Sequence, residues 1–347
     1  MFSQNKAWIS IGIGVLFAGL SLMIGVSVGS VFIPLPVSTK IIWHVISGMD
    51  MPASIPAADV SIITNIRLPR VVLAALVGAS LSAAGAAFQG LLRNPLADPY
   101  TLGVSSGSAL GAVVVLYTGL TIPLLGTFTL PAVSIVSGFV TLLFILTFVR
   151  WIEQQMRTET IILAGIIVSS FLGAFLSLII ALTGNELRQI ISWLMGSVSM
   201  RGWEYAALLV PFFLSGTILL FMNVRELNAL VFGEETARTL GVSPEKSRIT
   251  VLAGASLLTG AAVAVSGTIG FVGLVVPHLV RLLTGPDHRL LLPLSILSGA
   301  GFLVLTDLAA RTIIAPTELP IGVITAATGA PVFGFLLYHQ RRRPKRR

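Results

Sequence analysis

Apolar residues come along this chain in long runs separated by short polar segments, not in alternation. Ten such runs stand at 8–33, 70–92, 103–119, 128–149, 160–183, 203–223, 247–266, 270–284, 289–312 and 321–339. Runs of about 20 apolar residues with few charges predict membrane-spanning α-helices. The period-two segments of about ten residues that a membrane β-barrel requires are missing. The run at 270–284 is the shortest of the ten. The first apolar stretch, Ala7 to Ile33, is about twice as long as the apolar region of a signal peptide, so it reads as a first span and not as a cleaved leader. The expected fold is an all-α integral membrane protein with about ten transmembrane helices in one domain, 1–347.

Within the runs, small residues recur at helical spacing. Gly78, Ser82, Ala86 and Gly90 fall on one helix face, as do Gly103, Gly107 and Gly111. Such faces let helix backbones approach closely, which predicts a tightly packed bundle. The tetrapeptide GASL occurs at 78–81 and again at 254–257, at similar depths in spans expected to run in opposite directions. That is the trace an inverted repeat leaves.

Composition agrees with the pattern. The chain is 55% hydrophobic and 10% charged, against about 25% charged in a soluble domain. The net charge of +8 raises nucleic acid as a partner, but six of the 22 basic residues lie in the tail RRRPKRR, 341–347, directly after a span. That placement suits a cytoplasmic anchor facing anionic lipid and argues against nucleic-acid binding. With the N-terminus inside, inner segments hold 16 of the 22 Lys and Arg, so both termini are expected in the cytoplasm. There is no cysteine, which removes disulfides, thiolate metal sites and thiol nucleophiles.

Against this charge rule, Arg67 and Arg70 stand at the expected outer end of the second span, in TNIRLPRVV. Snorkelling to the headgroups is the plain reading, and an outer docking surface is the functional one. No P-loop pattern occurs, so energy for transport would come from a partner or an ion gradient. Ionisable groups within the spans are few. Asp307 stands four residues before Arg311 and can pair with it on a helix, and His278 and Arg281 lie in VVPHLVR. No Ser–His constellation, G-x-S-x-G or H-E-x-x-H supports an embedded hydrolase. The inner segment ELNALVFGEETARTLGVSPEKSR, 226–248, is too polar to span. Its GEETARTLG stretch reads as a helix with Glu234 and Glu235 early and Arg238 late, favourable for the helix dipole. Its residues leave a solvated helix and a partner-docking helix equally open.

The stretch RLPRVVLAALVGASLSAAGAAFQGLLRNPLADPYTLGVSSGSALGA, 67–112, resembles the signature of the FecCD-type permeases, the membrane subunits of ABC importers for iron–siderophore complexes, haem and vitamin B12. Further matches follow in order: ISWLMGS, GEETARTLGV, GFVGLVVPHLVRLL, DHRLLLP and ELPIGVITAATGAPVF. The resemblance implies a fold like that of the vitamin B12 importer permease, with its inverted repeat, in the bacterial cell membrane. It implies a dimer with a second permease, a copy or a paralogue, two separate ATPase subunits that bind and hydrolyse the ATP, and an extracytoplasmic binding protein. It assigns ATPase coupling to the segment at about 226–245, with Glu234, Ala237, Arg238, Leu240 and Gly241. It implies a cytoplasmic gate at Asn94, Leu96 and Thr158, and binding-protein docking at Arg67, Arg70 and Arg311. This chain would itself bind no cofactor and no metal and would catalyse nothing. Ferric siderophores are the leading cargo, with haem or cobalamin as alternatives and a gradient-driven secondary transporter as the competing class.

Overall fold

The computed structural model describes residues 4–29 and 31–342, which contain helices and no strand. In chain order the helices are α1 (Gln4–Ser27), α2 (Leu35–Ser47), α3 (Ala57–Ser61), α4 (Leu68–Leu91), α5 (Val104–Thr118), α6 (Thr129–Ile152), α7 (Thr158–Leu182), α8 (Leu187–Leu194), α9 (Trp203–Met222), α10 (Val224–Leu230), α11 (Glu234–Thr239), α12 (Pro244–Ser266), α13 (Val272–Thr284), α14 (His288–Thr312) and α15 (Ile321–Arg342). A π-helical stretch, Ile62–Arg67, joins α3 to α4. Every expected span has its helix, and the basic tail lies outside the described residues beyond 342.

Seven of these helices are long and apolar enough to cross a membrane, while α5, α13 and the apolar part of α15 are shorter. The 13 residues of α13 rise only about 20 Å, short of an apolar core about 30 Å thick. Irregular backbone in such a place must find partners inside the protein. Between α12 and α13, the Tyr100 hydroxyl donates to Ile269 O at 3.0 Å and accepts from Ile269 N at 2.9 Å. Ser197 N donates to Ser266 O at 2.7 Å, and the Thr268 hydroxyl bonds Leu194 O. The chain leaves α12 through Gly267 at φ +73 and enters α13 through Phe271 at φ +68, so the break sits where two left-handed residues turn the backbone.

Burial separates centre from rim. The apolar windows of the helix 57–91 and of α12 are 83% and 78% buried, against 22% for α7 and α9, so α4 and α12 form the centre. These are the two helices that carry GASL. Their neighbours approach along glycines. A Cβ on Gly78 would lie 2.1 Å from Gly299 O of α14, and one on Gly85 would lie 1.8 Å from Gly273 O of α13. Both obstacles are backbone, so α4 meets α14 and α13 only because these positions lack side chains. The rim helices turn large apolar side chains outward, among them Leu163, Ile166, Ile167 and Phe171 of α7.

Candidate functional site: an inner ion clamp and an outer charge cluster

Two groups of ionisable residues stand out, one at each end of the bundle. At the end expected to face the cytoplasm, α11 is a six-residue helix opened by Gly233 and closed by Gly241 at φ +81. Val242 N donates to Ala237 O and Gly241 N to Arg238 O, both at 3.0 Å, a Schellman closure that fixes where the helix stops. Ala237 faces inward and is fully buried, whereas Glu235, Arg238, Leu240 and Gly241 are exposed. Arg238 pairs with Glu245 at the start of α12.

Glu234 links this helix to both neighbouring inner turns. Its carboxylate accepts from Arg248 at 2.5 Å and lies 4.0 Å from Arg93. Arg93 belongs to the turn after α4, next to Asn94 and Leu96. The Arg248 guanidinium, 2% exposed, also donates to Gln155 O at 3.2 Å and to Met156 O, in the turn before Thr158. Arg93 and Met156 both hold positive φ, at +49 and +47, so each turn contains a left-handed non-glycine residue beside its anchor. Asn94 closes its turn by accepting Leu96 N at 2.9 Å, and both residues are exposed. Thr158 is the half-buried first residue of α7.

At the opposite end, three arginines from two helices converge. Arg70 donates to Asp307 through Nε, 3.0 Å from each carboxylate oxygen, and through Nη2 at 2.8 Å. Its Nη1 reaches Glu318 at 2.8 Å and Ser199 Oγ at 3.4 Å. Arg311 Nε lies 3.6 Å from Asp307, and its Nη2 donates to Gly25 O at the end of α1. Arg67 donates to Val26 O at 2.9 Å, to Ser27 O at 2.8 Å and to Val31 O. Burial alone would raise the Glu318 carboxyl. The hydrogen bonds from Arg70 and Ser199, with the charges of Arg70 and Arg311, outweigh it and hold that carboxyl below the usual range.

The model of the FecCD transport family matches residues 17–339. The chain belongs to the FecCD transport family. It is thereby a multi-pass membrane permease of the ABC-importer class. It is 57% identical over 339 residues to the uncharacterized ABC transporter permease YvrB of Bacillus subtilis, covering 98% of this chain and 96% of that one. It is 42% identical over 290 residues to the cobalamin import permease BtuC of Halobacterium salinarum, covering 82% and 75%. A solved inward-facing structure described as a metal-chelate type ABC transporter superposes with a TM-score of 0.82 at 33% identity, covering 95% of this chain and 98% of that one.

In this FecCD permease the inner residues expected from sequence occupy one side of the molecule, and the structure adds Arg93 and Arg248, which sequence reading passed over. The only advance sign of Arg248 was its place in an inner segment where charge-rule counting had already accounted for it. Arg67, Arg70 and Arg311, expected to meet a partner outside, are 4%, 7% and 8% exposed in the chain by itself. The second span does not begin at Arg70 but runs from Ala57 to Leu91 as one helix of 35 residues, so both arginines are interior to it. A guanidinium inside a bundle must be paired, and these are held by buried Asp307, exposed Glu318 and backbone carbonyls. Arg67 and Arg70 also point to different partners despite their spacing. Asp307 pairs with Arg311 as the four-residue spacing suggested, but its closer partner is Arg70.

Asp98, in the inner turn between α4 and α5, makes this region sensitive to pH. Burial pushes its carboxyl up to about 6, against the pull of its hydrogen bond from Tyr100 N. The protonated form is therefore favoured in the fold. Its contribution is complete below about pH 4, where the unfolded carboxyl titrates, and is lost as pH rises through about 6. Thermal unfolding should show the wild type gaining stability, by up to about 3 kcal/mol, between pH 7.5 and 4. Asp98→Asn should keep that gain at all pH values. Equal pH slopes in the two proteins would remove Asp98 as the cause.

Proposed function

We propose that this permease imports ferric siderophore complexes handed to it by an extracytoplasmic binding protein, as one half of a permease dimer driven by two ATPase subunits. The observation that carries the reading is the likeness, over 95% of the chain, to an inward-facing transporter of the metal-chelate type. The chain acts as one transmembrane domain in the bacterial cell membrane with both termini in the cytoplasm, and ATP is bound and hydrolysed on the partner. Each ATPase receives α11 through the exposed Glu235, Arg238, Leu240 and Gly241, while buried Ala237 seats the helix on the bundle. ATP-driven closure moves α11, and Glu234 passes the movement through Arg93 to the turn of Asn94 and Leu96. Through Arg248 it reaches the turn that opens at Thr158. These two turns gate the inner end of the path. Cobalamin is the second reading, favoured by the 42% identity to a cobalamin import permease.

The test is uptake into proteoliposomes holding the permease, its ATPase and its binding protein. Uptake of radiolabelled ferric siderophore should require ATP and fall to background when the ATPase is omitted. The purified permease alone should hydrolyse no ATP. Labelled cobalamin entering in place of the siderophore would establish the second reading. Uptake driven by a proton or sodium gradient without ATP would overturn the ABC mechanism.

A further inference from the structure

Between the first span and α4 lies a helix that the ten apolar runs leave out. The 24 residues of α1 rise about 36 Å, enough to cross an apolar core about 30 Å thick. Helix α2 begins at Leu35, close after α1 ends at Ser27. Its 13 residues rise about 20 Å, too short to cross. The chain next meets a crossing helix only at Ala57. So α2 stays at the end of the bundle where α1 finishes. That is also the end that holds Arg67, which bonds the carbonyls of Val26, Ser27 and Val31.

This helix is apolar on two sides. One side seats on the bundle. Ile41 is fully buried there, and α2 packs against α1 and the π-helical stretch that ends at Arg67. The other side faces out. Leu35, Ile42, Trp43 and Ile46 fall at i, i+7, i+8 and i+11, which is one face of a helix. Trp43 is 63% exposed and Ile46 78%. Lys40 and Ser47, also exposed, mark the edge of that face.

A single exposed leucine is ordinary, but this face continues a larger one. The apolar stretch of α1 is only 28% buried and turns Leu16, Leu20 and Ile24 outward. The exposed Val31 and Phe32 carry that surface on towards α2. Lipid covers such a surface on a spanning helix. Tryptophan concentrates where the membrane meets water, because its ring is apolar and its N–H seeks a polar partner. A short amphipathic helix with a basic edge lies in that layer.

We propose that α2 lies along the lipid headgroup layer at the end of the bundle that holds the Arg70–Asp307 cluster. Its occupant is the phospholipid of that leaflet. Acyl chains cover Leu35, Trp43 and Ile46, and the Lys40 ammonium meets a lipid phosphate. The helix thereby sets the depth of this end. Because α2 packs on the π-helical stretch, it holds the entry of the 57–91 helix, with Arg67, at the membrane boundary. The placement is the same for any cargo.

The absence of cysteine allows a clean test. Single spin labels go on Leu35→Cys, Lys40→Cys, Trp43→Cys, Ile46→Cys and Ser47→Cys of the full chain, in vesicles of phosphatidylethanolamine and phosphatidylglycerol. All five positions are exposed, so the labels leave the packing intact. Power saturation reads each label's collisions with oxygen, which concentrates among acyl chains, and with a water-soluble nickel chelate. Labels at 35, 43 and 46 should lose the nickel effect and gain the oxygen effect, while those at 40 and 47 keep nickel access. The contrast should follow the helical period of about 3.6 residues. Nickel access at all five would make α2 a water-facing helix. Shielding of 43 and 46 from both reagents would mean that protein, such as a second copy of the chain, covers the face. Oxygen without nickel at all five would sink the helix into the hydrocarbon. Each of these three results overturns the proposal. In the unlabelled chain, lipids brominated near the headgroup should quench Trp43, so Trp43→Phe should lower the quenched fraction. An unchanged fraction would count equally against it.

Discussion

Asp307→Ala should cost the folded permease about 3–5 kcal/mol, the range for breaking a buried ion pair by removing one partner. The aspartate is fully buried and is the closest carboxylate to two arginines, Arg70 at 2.8 Å and Arg311 at 3.6 Å. Removing it leaves two guanidiniums facing each other across a cavity, with Glu318 able to answer only one of them. The penalty comes from the orphaned cations and not from the loss of an attraction. Replacing Arg70 and Asp307 together by Met and Leu should therefore recover much of the loss. Denaturation of the detergent-purified protein reads both variants. A cost for the single change below about 1 kcal/mol, the range of exposed pairs, would mean that water reaches the cluster.

Arg248→Met should leave the permease inserted and paired with its ATPase but reduce ATP-driven uptake at least about tenfold, the effect of roughly 1.4 kcal/mol on the coupling step. Arg248 is the group that joins Glu234 of α11 to the carbonyls of Gln155 and Met156. Methionine fills the space of the stem but returns no bond to either side. The α11 surface that would meet the ATPase, including Leu240 at 64% exposure, is untouched. ATP hydrolysis should persist while transport falls, an uncoupled phenotype. Measuring both rates in one proteoliposome preparation separates this from simple loss of protein. Transport and hydrolysis falling together would assign Arg248 to stability instead.

These two residues show what the linear pattern can and cannot carry. The spans and the glycine faces were legible because each depends on residues close in sequence. A helix repeats every 3.6 residues, and a small residue every fourth position marks a contact face whatever the neighbour is. The pair Asp307–Arg311 was visible for the same reason, four residues apart on one helix. The pair Arg70–Asp307 was not, because 237 positions separate its members. Likewise α11 could be recognised from its acidic start and glycine end, while its tie through Arg93 and Arg248 to two other turns could not.

The short helix α13 makes the division plain. Its apolar run is continuous with the loop before it, so hydropathy extends the span to residue 270, while the structure starts the helix at Val272. What ends the regular backbone there is the pair of left-handed residues and the Tyr100 hydroxyl on Ile269, contacts that no local pattern encodes.

By itself the sequence determined that this chain spans a membrane as a packed helical bundle and which stretches lie within it. Apolar length and small-residue spacing act on each helix alone. Only the tertiary structure decided where the charges go. A buried guanidinium takes whichever carboxylate or carbonyl the folded neighbours bring to it, so Arg67, Arg70 and Arg311 are held by α1, α14 and the segment before α15, which no local pattern joins to them.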